Sequence, residues 1–334
     1  MSAQPRRLGL WIPWALFVAA ALGWFAYWSV LKTRAIAQLD GWAAAHRAAG
    51  GDARWRSVRA DGFPMRLSLR LDGVSIAARD RAWAVATERA SIHINPTNVF
   101  HILGEADAPL RLTLDGRPLA VRARHLGFSV RLKDSALARA SLLANDLTWR
   151  AADDAAAPIA SAARGLLHVR PDPRTPGAFQ VALEIDQWRP RAIAAALRPL
   201  GPTIEQVRAA IVIEDGATLA DAGALRWSQA GHGARLEAGA LRWGPAQASA
   251  TGRLSIDAQR RPNGEIVLRL SEPRAALAPL AANPTLAPAA AAALARASAA
   301  PAPLDLALSA SRGQLTYAGI VPLTGLDPLP GTQP

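Results

Sequence analysis

Six histidines, His46, His93, His101, His125, His168 and His232, are the side chains best suited to metal binding or proton transfer near neutral pH. No two stand at i, i+2 or i, i+4, and the HExxH pair of a zinc peptidase does not occur. His93 and His101 flank Ile94-Asn95-Pro96-Thr97, so a turn there would bring them towards each other. Lone histidines near strand ends read as hydrogen-bonded structural residues, and no metal site is expected. Asp153 and Asp154 are adjacent carboxylates. On a strand they point to opposite faces, which suits solvated charge better than a general acid/base pair. The chain has no cysteine, no phosphate-cradling glycine loop and no G-x-S-x-G elbow. No catalytic residue and no cofactor is assigned, and an enzyme is the least favoured functional class.

Charge points to partners rather than chemistry. Lys+Arg number 38 against Asp+Glu 26, a net charge of +12, and the only lysines are Lys32 and Lys133. The arginines are spread through nearly every strand-like segment, with single tryptophans between them. A nucleic-acid surface would cluster them with aromatics. Solvated strand faces are the first reading, contact with anionic lipid headgroups the second, and nucleic acid is not expected. Hydrophobic residues at 51% exclude a disordered chain.

The elements that would position any site begin with a membrane segment. Between Arg7 and Lys32 lie 24 uncharged residues, Leu8 to Leu31, and a helix of that length is about 36 Å long, enough to cross a hydrocarbon core. Trp11 and Trp14 sit at one end, and Trp24, Tyr27 and Trp28 at the other, as amphipathic rings do at the two membrane interfaces. A cleaved signal peptide is the alternative, with Ala35-Ile36-Ala37 as its cleavage site. Lys32 and Arg34 interrupt that arrangement, so a retained anchor is favoured. The short tail and the large body place the N-terminus in the cytoplasm and the body in the periplasm of a bacterial inner membrane, as a single-pass protein.

Residues 35–49 continue at helical spacing and stop at Gly50-Gly51. The period then changes to two. Met65, Leu67, Leu69 and Leu71 alternate with Arg66, Ser68, Arg70 and Asp72; the same holds for segments around Leu112, Leu183, Leu254 and Leu306. Asp72-Gly73, Asp115-Gly116 and Asn263-Gly264 read as hairpin turns, and Pro171–Gly177 as a long turn. Residues 189–200 read as a short helix. Residues 273–303 read as an Ala/Pro-rich helix or linker, with the helix starting near Ala289. Gly223-Ala-Leu-Arg-Trp227 recurs as Gly239-Ala-Leu-Arg-Trp243, as two arms of a hairpin would.

The expected fold is mainly β: an N-terminal transmembrane helix, then a large antiparallel, hairpin-rich curved sheet, a trough or half-barrel, with two or three short helices. The expected divisions are a cytoplasmic tail (1–7), the anchor (8–31), a juxtamembrane helix (32–50), the β body (51–272), the helix or linker (273–303) and C-terminal strands and tail (304–334).

Several segments together resemble a bacterial family of anchored envelope proteins catalogued only as a domain of unknown function. They are Trp42, Trp55, Asp61-Gly62-Phe63-Pro64-Met65-Arg66-Leu67, Gly239-Ala-Leu-Arg-Trp243-Gly244, Gly252-Arg253-Leu254 and Pro262-Asn263-Gly264-Glu265-Ile266. The resemblance covers about residues 8–328, with Met65 where Phe would stand. It implies an exported, tethered, sheet-rich body, and supplies no activity or catalytic residue.

An apolar sheet face must be hidden by closure, stacking or helices, or left as an open trough. A trough beside a membrane suits acyl chains. The expected lining is Leu67, Leu69, Leu71, Leu112, Leu114, Val121, Leu183, Leu254 and Leu268, with Arg66, Arg70 and Arg111 at the rim for anionic headgroups. The favoured expectation is a non-catalytic anchored protein that binds lipid or another apolar ligand. A scaffold for an envelope protein partner is the alternative.

Overall fold

The computed structural model describes residues 11–79, 83–107, 109–114, 116–134, 136–152, 158–317 and 321–325. Asp153 and Asp154 lie outside these residues. The first element, α1 (Ile12–Ala48), is one unbroken helix of 37 residues, about 55 Å long. It is long and apolar enough to cross a membrane. It runs without a break through the expected boundary between the anchor (8–31) and the juxtamembrane helix (32–50). Nothing around Leu31 and Lys32 disfavours helix, because no proline or glycine stands between Gly23 and Gly41. Residues 11–23 are exposed all round, whereas Trp28, Ala35 and Ala43 are buried. Their spacing of seven and eight puts them on one helical face.

That face lies along the first long strand. β1 (Asp52–Arg54) and β2 (Ser57–Asp61) pair end to end along one edge of β3 (Leu67–Ala77), and β4 (Trp83–Asn95) pairs with the other. Beyond β4 the sheet is two short strands deep. β5 (Asn98–Ala106) and β6 (Leu110–Leu114) divide the far edge of β4 between them. β8 (His125–Lys133) continues from β5 and β7 (Arg117–Arg122) from β6, and both pair with β9 (Ala136–Ala151). From there each strand pairs with the next in sequence: β10 (Ala160–Pro171), β11 (Phe179–Pro190), β12 (Ile204–Ile213), β13 (Ala234–Trp243), β14 (Ala246–Ile256), β15 (Pro262–Leu270), β16 (Leu304–Ser311), β17 (Gln314–Tyr317) and β18 (Val321–Gly325). All pairs are antiparallel. Among the described residues no register joins β18 back to β1 or β2.

A 3-10 turn (Ala195–Leu200), α2 (Gly216–Gln229), α3 (Pro273–Ala281) and α4 (Pro288–Ser298) interrupt the strands. Residues 189–200 are therefore strand end plus a single 3-10 turn, since Pro199 prevents a longer helix. The helix expected from Ala289 is α4. The preceding stretch is a helix too, because Pro273 occupies the first turn, where a missing N–H is tolerated.

Two of the three expected hairpin turns are corrected. At Asp115-Gly116, of which Asp115 lies outside the described residues, Leu114 at the end of β6 pairs with Arg117 at the start of β7. Asp72-Gly73 lies inside β3 and Asn263-Gly264 inside β15. The pentapeptide echo is not a hairpin either. Its first copy is in α2 and its second in β13, so tertiary context overrides the shared local sequence.

The apolar side chains form two separate cores. One packs Leu67, Leu69, Leu71 and Val74 of β3 against Trp28 and Ala35 of α1, with Leu31, Ile36 and Leu39 alongside. The other packs Leu270 of β15, Leu306 of β16 and Trp243 of β13 under α3 and α4, through Ala276, Leu277 and Ala297. Each fully buried leucine stabilises the fold by about 1.5–3 kcal/mol.

Candidate functional site

Cross-strand register shows what lies between the two cores. Leu69 stands opposite Ile92, and the row continues through Gly104, Phe128, Leu142, Leu167, Leu183, Ala209, Gly239 and Ala250 to Leu268 and Leu306. A second row runs from Leu67 through Ile94, Ile102, Val130, Ala140, Val169, Val181, Ile211, Leu236, Gly252 and Ile266 to Leu308. Directly paired residues share a face, so both rows lie on one side of the sheet. Neither contains a polar side chain.

The first row starts in the α1 core and ends in the α3/α4 core. Between them, β5 and β8 to β10 contribute no side chain to either core. Their apolar residues are half-buried, and Leu142 is 42% exposed. The uncovered band from β5 to β10 is three strand steps wide, about 14 Å. At its centre the ring of Phe128 occupies the space where a Cβ at Gly104 would stand, so the glycine lets the ring lie over the sheet.

The expected lining residues fall into three groups. Leu67, Leu69 and Leu71 are 0%, 2% and 4% exposed; α1 covers them, and they are core rather than free lining. Leu268 packs beside the α3/α4 core. Leu183 and Leu254 are half-buried on the same face, and Leu183, on β11, borders the uncovered band. Leu112, Leu114 and Val121 sit on the short inner hairpin β6–β7, where Leu112 faces Val85, Leu114 faces Trp83 and Val121 faces Trp149. The register brings Phe128, Leu142 and Leu167 into the centre of the band, and these were not among the expected lining. The alternation Leu126, Phe128, Val130 and Ala140, Leu142, Ala144 carried the signal.

The opposite face carries serines and histidines among its leucines. One row on it reads Ser68, His93, Leu103, Ser129, Ser141, His168. His93 Nδ1 lies 3.0 Å from Ser68 Oγ, His101 Nε2 3.0 Å from Ser129 Oγ and His168 Nδ1 2.7 Å from Ser141 Oγ. His93 and His101 thus pair with serines rather than with each other. Both line a depression of about 830 Å³ together with His125, Arg66 and Arg70. Arg70 is ion-paired to Asp61 at 3.1 Å. Arg111 lines a separate depression of about 240 Å³, so the three expected headgroup arginines do not converge. Among the described residues no three His, Asp or Glu side chains are grouped to hold a metal ion.

Asp72 and Asp172 are held ionised by their neighbours. The Ser57 hydroxyl donates to Asp72 at 2.7 Å, and with Arg59 it keeps that carboxyl below its ordinary range. At Asp172 burial pushes the pKa up, but the Arg174 backbone N–H, the Thr175 hydroxyl and the Arg174 guanidinium outweigh it.

The anchor aromatics divide in two. Trp11 and Trp14 are exposed. Trp24 Nε1 donates to the Pro64 carbonyl at 3.0 Å, the Tyr27 hydroxyl to Pro96 at 2.7 Å and Trp28 Nε1 to Arg66 at 3.1 Å. The three aromatics read as interface markers therefore also fasten the helix to the sheet.

A family model described as "Uncharacterized protein conserved in bacteria (DUF2125)" matches residues 28–327. No curated protein and no solved structure matches the chain.

Proposed function

The chain belongs to this bacterial family, and from that premise we propose that it is a non-catalytic, membrane-anchored envelope protein that holds lipid or another apolar ligand along the open face of its sheet. In this reading α1 is a single span of the inner membrane, with its N-terminus cytoplasmic and the body periplasmic. The observation that carries it is the pair of apolar rows crossing twelve strands, both starting under α1, the first ending in the α3/α4 core, and uncovered from β5 to β10. An uncovered apolar patch of this extent on a soluble body marks a binding surface. Acyl chains match its chemistry, because they need no hydrogen-bond partner from a lining that offers none.

The test is mass spectrometry of lipid extracted from the full-length protein purified in mild detergent. Bound lipid is expected in the unaltered protein. It is expected to be lost in Leu142→Arg and Leu183→Arg, both with unchanged circular dichroism. Absence of lipid from the unaltered protein, or its retention in both folded variants, overturns the reading.

A second reading rests on the sheet edges. Among the described residues the outer edge of β18 has no strand partner, and an extended segment of an envelope protein can add there. Crosslinking that returns one dominant protein, with no copurified lipid, would favour this scaffold role.

A further inference from the structure

Docking of α1 onto the body begins inside the uncharged run, before Lys32. Trp24 and Tyr27 hydrogen-bond the carbonyls of Pro64 and Pro96. The ring of Phe63 meets Phe25 and Trp28 edge-on, at centroid distances of 5.7 and 5.6 Å. The loop between β2 and β3 and the turn between β4 and β5 are thus tied to the stretch Trp24–Trp28.

Length then decides where that stretch lies. The part of α1 before these contacts, Ile12–Gly23, is about 18 Å long at helical rise. Counting the uncharged run from Leu8 gives at most about 24 Å. A hydrocarbon core is about 30 Å thick. The missing 6–12 Å corresponds to roughly four to eight further helical residues, which reach from Trp24 towards Leu31. A helix that spans must therefore carry Trp24 and Tyr27 at least as deep as the membrane's interfacial layer, and Pro64 and Pro96 go with them.

The loop suits that position. Met65 is 82% exposed and Phe63 48% exposed. Pro64 has no N–H to leave unpaired. Arg66, the next residue, is a cation on a long stem, able to reach phosphate from just inside the interface.

We propose that residues 62–65, with the turn at Pro96, form a second membrane contact, immersed in the interface of the leaflet nearest the body. The contact places Leu67 and Ile94, the first members of the second apolar row, at lipid level. This inference rests on the reading of α1 as a membrane-spanning anchor.

The chain has no cysteine, so single cysteines report one site each. Full-length Met65→Cys, Leu22→Cys and Val267→Cys, each labelled with bimane, are reconstituted into phosphatidylethanolamine/phosphatidylglycerol vesicles containing brominated lipid. All three native side chains are exposed, so the substitutions leave the cores intact. Quenching at 65 is expected to approach that at 22 and to exceed that at 267 several-fold. Quenching at 22 with none at 65 overturns the second contact and leaves the anchor standing. No quenching at 22 overturns the anchor and the contact together. Equal quenching at 267 overturns the contact as a local feature.

Discussion

Leu71 and Val74 lie three residues apart on one strand, yet both bury in the core beneath α1. Strict alternation would send them to opposite faces. Gly73 between them takes φ +61°, and this left-handed residue resets the alternation so that apolar side chains stay on the helix side. Asp146 (φ 50°) and Gln187 (φ 54°) are similar interruptions within or near the ends of β9 and β11. Gly73→Val is expected to destabilise the protein by about 1–3 kcal/mol through backbone strain. Gly73→Asn, which tolerates this conformation, is expected to cost less. Thermal unfolding of the full-length protein in detergent checks the order, and equal melting temperatures for both variants would refute it.

Trp28 joins the anchor to the sheet by two means: its ring is buried against Leu67 and its neighbours, and its N–H bonds the Arg66 carbonyl. Trp28→Ala removes both and is expected to cost about 3–5 kcal/mol. Trp28→Phe keeps most of the packing but leaves the carbonyl without its partner, an expected loss of about 1–3 kcal/mol. Chemical denaturation of the three proteins measures the ladder. A Phe variant as unstable as the Ala variant would place the whole effect in the hydrogen bond.

The strands were legible because a period of two survives in any half-buried sheet. The same signal misled at Asp72-Gly73 and Asn263-Gly264. A dipeptide that supplies positive φ also sits inside an unbroken strand, as both do here, and only the pairing partner tells the two apart. Gly223–Trp227 and Gly239–Trp243 share every residue, yet one is helix and the other strand, so local propensity decided neither. The apolar face could be read strand by strand. Its coverage could not, because whether Leu69 or Leu142 is left open depends on where α1, α3 and α4 settle. The serine–histidine pairs on the opposite face depend on register between distant segments and left no mark in local spacing.

Leu69 and Leu142 belong to one row and differ only in cover, 2% against 42% exposed. Leu69→Ala is expected to cost about 2–5 kcal/mol, as a cavity forms under α1. Leu142→Ala, on the uncovered band, is expected to change stability by less than about 1 kcal/mol. Urea unfolding of delipidated protein compares them. Similar large losses at both positions would mean that the band is closed in solution.

Acid provides the last test, through the paired carboxylates. Arg269 donates to both oxygens of Asp305, at 2.7 and 2.8 Å, and keeps that carboxyl below its usual range. The Thr218 hydroxyl does the same for Asp215, and Asp72 is lowered likewise. A carboxyl with a depressed folded-state pKa binds its proton first in the unfolded chain. Its contribution is therefore complete above the unfolded value of about 3.9 and disappears as pH falls through the folded value. Melting temperature is expected to be insensitive to these groups from about pH 5 to 7, and to fall below about pH 4. Asp72→Asn removes one such group, so its melting curve at neutral pH should lie below that of the unaltered protein and converge with it in acid. A gap that widens on acidification would reverse the sign of the linkage and contradict the pairing of Asp72 with Ser57 and Arg59.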